Sequence, residues 1–260
     1  MTPKAFGIYS GIDDTLRPQQ RVQTYKFEQG EIARVTFPDM RIASGISHWV
    51  PGLGYVFCFG DPEVVDKMRH DPNCPLCAAN LDPTLVDQAK NRPLIGKATR
   101  RFAVNFWKYL TRSRTNDTAL VPVQGTVEVL KFAGSFYAKL SDMAAKGLDL
   151  RKTDFRIRCE EAQFQNLALT DLGAAVYLQD KETAERVLKQ FQEDRLDDED
   201  LLAVIGREVS LDEVEAALER LRAGKQASTT SSPVSLADGS VTTAAASEVG
   251  TFDLSSLFGD

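Results

Sequence analysis

The clearest chemistry in this sequence belongs to two cysteines separated by two residues, in Cys74-Pro-Leu-Cys77. Two thiolates at this spacing can occupy adjacent corners of a tetrahedral zinc site, as they do in a zinc knuckle. Two corners then remain for other side chains. The remaining cysteines and histidines of the chain are Cys58, Cys159, His48 and His70.

We predict that Cys58 and His48 complete the site, because both flank the probable strand that leads to the knuckle. His70 lies four residues before Cys74 and is the competing fourth ligand. Free cysteines are often small core residues, which is the alternative for Cys58 and Cys159. Four protein ligands close the coordination shell, so the prediction is one structural Zn²⁺.

A catalytic zinc is disfavoured by the residues around both histidines. Nucleic-acid deaminases carry His-x-Glu followed by Pro-Cys-x-x-Cys. Here Val50 and Pro72 stand where the glutamate would be, and Asn73 precedes the cysteine pair. The sequence also lacks a complete phosphate-binding loop and other hydrolase motifs, so we predict a protein that is not an enzyme.

Charge is distributed unevenly along the chain, whose net value is −6. Residues 1–160 hold 23 Lys and Arg against 17 Asp and Glu, a net +6, whereas residues 161–260 hold 8 against 20, a net −12. The cations concentrate between Lys90 and Arg114, where no acidic residue occurs. Such asymmetry indicates a basic binding domain followed by an acidic segment.

Within this basic stretch, Thr99 to Leu110 alternates like a strand. One face carries apolar residues, and the other is expected to present cations beside Trp107 and Tyr109, a combination suited to single-stranded nucleic acid. The alternative is that these rings pack under a loop and the arginines are only solvated. The predicted nucleic-acid-binding residues are Lys97, Arg100, Arg101, Asn105, Trp107, Tyr109, Arg112, Arg114, Tyr137 and Lys139.

The elements that must position these residues read as short strands between Arg21 and Gln179. We predict a hairpin from residues 22–27 and 32–37, strands at 55–59, 99–110, 123–132, 155–160 and 164–169, and a helix at 135–146. Strands of this kind with one helix favour a mainly β fold with helical additions, specifically an oligonucleotide-binding barrel. We assign the barrel to residues 21–172, a zinc subdomain within it to about 45–90, and an arm to 1–20.

Helical periodicity replaces the strand pattern after Leu172. One helix is expected from Asp180 or Thr183 to about Glu193, and Ser210 to Glu213 forms a capping box for a second helix that ends at Gly224. Residues 173–224 are therefore a helical segment, and 225–260 are predicted to be a flexible, acidic tail. Its end is a predicted partner-binding motif of Phe252, Asp253, Leu254, Leu257, Phe258 and Asp260.

The order of these features resembles the zinc-containing, helix-destabilising single-stranded DNA-binding proteins of T-even-like tailed phages. The likeness covers about residues 21–170. It runs from the Gly30 to Pro38 strand, through the knuckle and Arg101 to Trp107, to Gly125-Thr-Val-Glu-Val-Leu-Lys-Phe132 and Phe136-Tyr-Ala-Lys-Leu140. The resemblance implies zinc held by His48, Cys58, Cys74 and Cys77 in an oligonucleotide-binding barrel, with Cys159 matching a cysteine that is not a ligand.

The resemblance also implies coating of single-stranded DNA during phage replication, recombination and repair, with the tail recruiting replication and recombination proteins. No apolar run could cross a bilayer and no signal sequence is visible, so we expect a cytoplasmic protein without membrane contact. We expect a monomer, with association between copies on DNA left open. The other interpretations are a zinc-bearing RNA-binding or transcription-accessory module and, third, a zinc-dependent enzyme acting on nucleic acid.

Overall fold

The computed structural model describes residues 24–87, 89–119, 124–161 and 166–229. The described residues up to Ala223 form one compact unit, and a second unit begins at Gly224. The strands are β1 (Ile32–Thr36), β2 (Ile42–Val50), β3 (Gly54–Phe57), β4 (Val86–Asp87), β5 (Arg92–Pro93), β6 (Thr99–Tyr109), β7 (Thr111–Ser113), β8 (Asn116–Ala119), β9 (Gly125–Ala133), β10 (Thr153–Glu161) and β11 (Asn166–Ala174). The helices are α1 (Pro62–Met68), α2 (Pro75–Leu81), α3 (Gly134–Ala145), α4 (Lys181–Asp194), α5 (Asp198–Ile205) and α6 (Leu211–Thr229).

Strand β6 is the centre of a seven-stranded sheet in the order β11-β10-β1-β6-β2-β3, with β9 on the other edge of β6. The first half of β6 pairs with β2, from Thr99 opposite Ser47 to Val104 opposite Ile42. Its second half pairs with β1, so β1 and β2 share one edge. Every residue from Phe102 to Trp107 is buried, so both faces of this part of β6 are covered.

The sheet is open, whereas the sequence predicted a closed barrel. Within the described residues, β11 and β3 are the two ends of the strand order and no strand pairing joins them. The mostly β architecture with helices is confirmed, but the oligonucleotide-binding barrel is not. One reason is that β1 and β2 occupy successive halves of the same edge of β6, so the strands branch around β6 instead of following one circuit.

The predicted hairpin of residues 22–27 and 32–37 is wrong within the described residues. Residues 24–28 have no strand assignment, although the turn at Gln29 and Gly30 is present. Strand β1 pairs instead with β10, from Ile32 opposite Arg158 to Thr36 opposite Asp154, and with β6. These distant strands take both edges of β1. Strand β2 was not predicted, although Ile42, Ile46 and Val50 are spaced so that they share one face of a strand.

One face of β6 carries Phe102, Val104 and Phe106 into the main core, as the alternation predicted. Helix α3 closes this core with Phe136 and Leu140, and its bounds confirm the predicted helix. The other face is also buried. Helix α4, capped by Asp180, one of the two predicted starts, packs over one end of it, and α5 packs over its middle.

The chain between β3 and β6 contains α1, α2, β4 and β5, and it builds a separate apolar cluster with the inward face of β2. We call this part of the protein the metal lobe. Helix α6 contributes Val214 and Leu218 to this cluster. The predicted capping box is confirmed, because Glu213 N donates to Ser210 Oγ and Ser210 N donates to the Glu213 carboxylate, at 3.2 and 3.1 Å. The helix continues to Thr229 and does not end at Gly224.

Candidate metal centre and adjacent cationic surface

Three neighbouring elements place the four predicted ligands together. Strand alternation turns His48 of β2 inward with Ile46 and Val50, and Cys58 directly follows β3, the strand paired with β2. Cys74 is the N-cap of α2, and Cys77 lies in the first turn of that helix. Pro75 follows the cap because its fixed φ and missing N–H suit the first helical position.

The donor atoms of His48, Cys58, Cys74 and Cys77 all lie within 4.8 Å of one another. From His48 Nε2, the thiol sulfurs are 3.4 Å away at Cys58, 3.5 Å at Cys77 and 3.8 Å at Cys74. From Cys58 Sγ, the sulfurs of Cys74 and Cys77 are 3.6 and 3.8 Å away. These residues therefore form a cluster that could hold a metal ion.

The spacing of the donors fits a tetrahedral ion. Zinc binds thiolate sulfur at about 2.3 Å and imidazole nitrogen at about 2.0–2.1 Å, so tetrahedral geometry requires sulfur–sulfur edges of about 3.8 Å and sulfur–nitrogen edges of about 3.6 Å. Each of the five quoted distances lies within about 0.2 Å of these edges, and the sixth, between the sulfurs of Cys74 and Cys77, is at most 4.8 Å. The donor set of three sulfurs and one nitrogen is itself typical of zinc.

Outer contacts orient the ligands. His48 Nδ1 lies 2.8 Å from Gly96 O, an arrangement in which Nδ1 donates and Nε2 is left with its lone pair toward the sulfurs. Cys58 Sγ accepts from Gly60 N, and Cys74 Sγ accepts from Cys77 N, both at 3.4 Å. Cys58 Sγ and Cys77 N donate hydrogen bonds to Cys74 Sγ and lower the pKa of that thiol, which favours the thiolate that a metal binds.

The two remaining candidates lie outside this cluster. His70 Nδ1 contacts Met68 O at 3.0 Å in an exposed setting, and its ring is not among the clustered donors. Cys159 lies on β10, is buried in the main core and contacts Phe27 O. The structure therefore brings His48, not His70, to the cysteines, and Cys159 is a core residue.

The prediction that Trp107 and Tyr109 are presented on β6 for base stacking is wrong. Trp107 and Tyr109 are 0% and 1% exposed, and they pack against Tyr177, Val187 and Phe191 of the segment containing α4. Tyr109 also donates to Asp154 at 2.9 Å, and burial raises its pKa above the usual value. The misassignment has a physical reason, because the predicted helical segment covers this face and no base can reach either ring.

Asn105 is also buried on this face. Its amide nitrogen donates to Leu196 O at 2.9 Å, and its amide oxygen accepts from Leu196 N at 3.0 Å. The side chain thus satisfies both backbone groups of the residue that links α4 to α5. Asn105 is a structural contact in this arrangement and has no free polar group for a base.

The predicted cations are dispersed along β6. Arg100 makes a two-pronged ion pair with Asp66 of α1 at 2.5 and 3.1 Å, whereas Lys97 is exposed. At the other end of the strand, Arg114 pairs with Glu28, and Arg112 is exposed. A strand rises about 3.3 Å per residue, which separates the two groups by about 30 Å.

The predicted cluster of Tyr137 and Lys139 lies on α3. Tyr137 is 40% exposed and stacks on Phe102 with ring centroids 4.4 Å apart. Lys139 donates to Leu167 O at 3.0 Å. Phe102 points to the main core, so this cluster lies on the opposite side of β6 from Arg101.

The sequence analysis missed an aromatic surface on the β2–β3 hairpin. Trp49 is 46% exposed, and its ring meets Tyr55 edge to face at 5.1 Å. Above Tyr55 lie two cations, Arg101 at 4.7 Å and Lys131 at 3.6 Å from the ring centroid. Strand alternation was the available signal, because an inward His48 requires an outward Trp49.

The predicted partner-binding residues Phe252, Asp253, Leu254, Leu257, Phe258 and Asp260 lie outside the described residues, as does the arm at 1–20. Among the described residues, no helix is long and apolar enough to span a membrane. In comparisons with known proteins, no family model and no curated protein sequence matches this chain. The case for a function therefore depends on the residues themselves.

Proposed function

We propose that this chain binds single-stranded DNA and that its His48, Cys58, Cys74 and Cys77 cluster holds one structural zinc ion. The observation that carries the proposal is the position of the cluster directly behind the β2–β3 hairpin. His48 faces the metal site, and its neighbour Trp49 is exposed on the other side, next to Tyr55 and two cations. A metal at this point would fix the orientation of an aromatic and cationic surface.

Zinc is the ion that best suits three thiolates and one imidazole at tetrahedral spacing. With all four positions supplied by protein, no ligand position is left open for substrate, which supports a structural role over the zinc-dependent enzyme considered as an alternative. When bound, the ion would supply folding energy by joining β2, the end of β3 and α2.

The aromatic hairpin supports single-strand binding because the exposed ring of Trp49, next to the half-buried Tyr55 and two cations, combines base stacking with phosphate attraction. Each stacked base contributes about 1–3 kcal/mol, and stacking tolerates any sequence. We assign to Trp49 and Tyr55 the base-stacking role that the sequence predicted for Trp107 and Tyr109. Lys97 and Arg101 remain on the proposed surface at the start of β6. Arg100 is also there but is paired with Asp66, and the other predicted residues are either buried or lie at a distance.

Membership of the phage helix-destabilising family, with an oligonucleotide-binding fold and activity in replication, recombination and repair, is part of this proposal. Its support is the order of the four ligands and of the strands that follow them. The end of the tail is proposed to bind replication and recombination proteins in the cytoplasm of the host, and the protein is proposed to be monomeric away from DNA.

A fluorescence titration tests the proposal, because the chain has two tryptophans and only Trp49 is exposed. The variant Trp107→Phe leaves Trp49 as the sole indole, and we expect oligo-dT to quench its emission. Trp49→Phe is the matched control, in which the buried Trp107 should respond little. Competition with oligo-U distinguishes DNA from the RNA-binding alternative, and failure of both strands to bind at low salt would contradict the proposal.

A further inference from the structure

Two cations lie side by side next to the aromatic hairpin. Arg101 and Lys131 project from adjacent strands, β6 and β9, where Ala103 is opposite Lys131 and Arg101 is opposite Ala133. Both approach the ring of Tyr55, at 4.7 and 3.6 Å from its centroid. The charge of Arg101 repels that of Lys131, so the proximity of the two cations requires an explanation.

Within the described part of the chain, neither cation has a carboxylate partner. Lys131 Nζ donates to the carbonyl oxygens of Val204 and Ile205 at the end of α5, at 2.7 and 3.5 Å. Arg101 Nε is buried and has no hydrogen-bond partner. This contrasts with the neighbouring Arg100, whose guanidinium is paired with Asp66. A buried guanidinium donor without a partner is costly in folded proteins.

We propose that Arg101 and Lys131 form a binding site for one phosphate group of a polynucleotide strand, adjacent to the rings of Trp49 and Tyr55. This inference rests on the proposed function and names the residues that position the strand. The phosphate oxygens would accept from the guanidinium and would neutralise the repulsion between the two cations. A base attached to this phosphate would reach the exposed face of Trp49.

The electrostatics of Lys131 favour an anion beside its amine. Burial and the nearby Arg101 lower the pKa of Lys131 to about 7 from its usual value near 10.5. The groups packed around the amine are Arg101, the Tyr55 ring and the carbonyl ends of α5, and no carboxylate contributes. A bound phosphate favours the protonated amine, so binding should take up a proton near neutral pH.

A purely structural role for Lys131, as a cap for the last turn of α5, makes a different prediction. A cap would affect stability and leave salt dependence unchanged, whereas a phosphate contact changes the salt dependence of binding. Lys131→Arg keeps the positive charge at every pH in this range. Lys131→Met removes the charge and keeps most of the aliphatic chain, and its fold can be checked by thermal melting.

The test is an oligo-dT titration at several salt concentrations. The double variant Arg101→Met/Lys131→Met should bind more weakly, with the slope of log affinity against log salt reduced by about 0.7, the value for one phosphate on a single strand. The wild-type affinity should fall as pH rises above about 7, and Lys131→Arg should bind without that fall. Lys181→Met, which removes an exposed lysine on α4, is the matched control and should match wild type.

A second probe separates this site from the proposed function. Titration of inorganic phosphate, followed by the ¹H–¹⁵N resonance of Arg101 Nε, should give a saturable shift that is lost in Lys131→Met. If oligo-dT binds the wild type and the double variant with equal affinity and salt slope, the phosphate site is wrong and DNA binding stands. If oligo-dT does not bind but phosphate shifts the resonance, the site stands and the proposed function fails. Absence of both responses overturns both.

Discussion

Two tryptophans on adjacent strands show how strongly burial decides what a residue can do. Trp107 is enclosed by the segment containing α4, and Trp49 extends from the edge of the metal lobe into solvent. Both are tryptophans near cations, and the sequence alone favoured Trp107. Trp107 is the more covered of the two, because the side of β6 that carries it lies under the helices α4 and α5.

Alanine substitution should separate these roles. Trp107→Ala removes a fully buried ring and should lower the free energy of unfolding by about 3–5 kcal/mol. Trp49→Ala should leave stability within about 0.5 kcal/mol, as expected for a surface position, and should weaken oligo-dT binding by about 1–3 kcal/mol. Denaturant unfolding and anisotropy titrations measure the two effects. Equal stability losses in both variants would mean that the two environments are misassigned.

The two histidines also differ in their surroundings, so their substitutions should have different effects. His48→Ala removes a donor from the four-ligand cluster and should lose bound zinc together with thermal stability, because metal-binding energy is folding energy. His70→Ala is the matched control, since its ring lies outside the cluster and should leave the metal in place. Elemental analysis and melting curves of both proteins provide the measurement. Retention of one zinc ion by the His48 variant would exclude His48 as a ligand.

At the scale of elements, the helices after β11 cover the sheet. Helix α5 packs Leu201, Val204 and Ile205 over Ala103, and the loop before it is held by Asn105. An ion pair between Arg195 and Asp39 at 3.0 Å connects the same loop to the segment between β1 and β2. The covering helices are therefore joined to the sheet by polar contacts as well as by apolar ones.

Asn105 should be a stability residue. In Asn105→Ala the backbone N–H and C=O of Leu196 lose their partner, and leaving such buried groups unsatisfied costs about 1–3 kcal/mol. Hydrogen exchange should show faster exchange of the Leu196 amide in this variant. Gln190→Ala, on the exposed side of α4, is the control and should change stability by less than about 0.5 kcal/mol. An unchanged Leu196 exchange rate would contradict the contact.

Local patterns were sufficient to predict several elements. Alternation placed β6, and spacing and caps placed α3, α4 and the start of α6, because these signals act over a few residues. Spacing identified Cys74 and Cys77 as metal ligands, and a position next to one strand selected His48 and Cys58 from the four remaining candidates. What the sequence could not predict was long-range packing, since neither the β1–β10 pairing nor the cover over Trp107 leaves a local signature.

At the scale of the whole molecule, the described basic residues before position 160 and the acidic segment up to Ala223 are not separate bodies. The described residues up to Ala223 form one compact unit, in which acidic α5 meets the sheet through the ion pair of Asp198 with Arg41. Helix α6 packs onto the metal lobe beside Cys74 and Cys77, with Val214 and Leu218 buried in the same cluster. The stability of α6 should therefore depend on the metal.

Limited proteolysis can test this dependence. Removing zinc with a chelator should release α6 from the metal lobe and expose its backbone to trypsin after Arg220 and Arg222, which are slow sites while the helix is packed. Lys181 and Lys189 on α4 provide the internal control, because α4 packs on the far end of β6 and should be cut at the same rate with or without metal. Uniform acceleration at all four sites would indicate global unfolding instead.

The pairing of β1 with β10 has a consequence for synthesis on the ribosome. Arg34 and its partner Asp154 are 120 residues apart, so at about 5–20 residues per second the chain emerges for roughly 6–24 s between them. The edge of β1 that binds β10 stays open throughout that interval. His48 and Cys77 are only 29 residues apart, so all four metal ligands emerge early. A nascent chain can therefore bind its ion while the strand that completes the sheet has still to be translated.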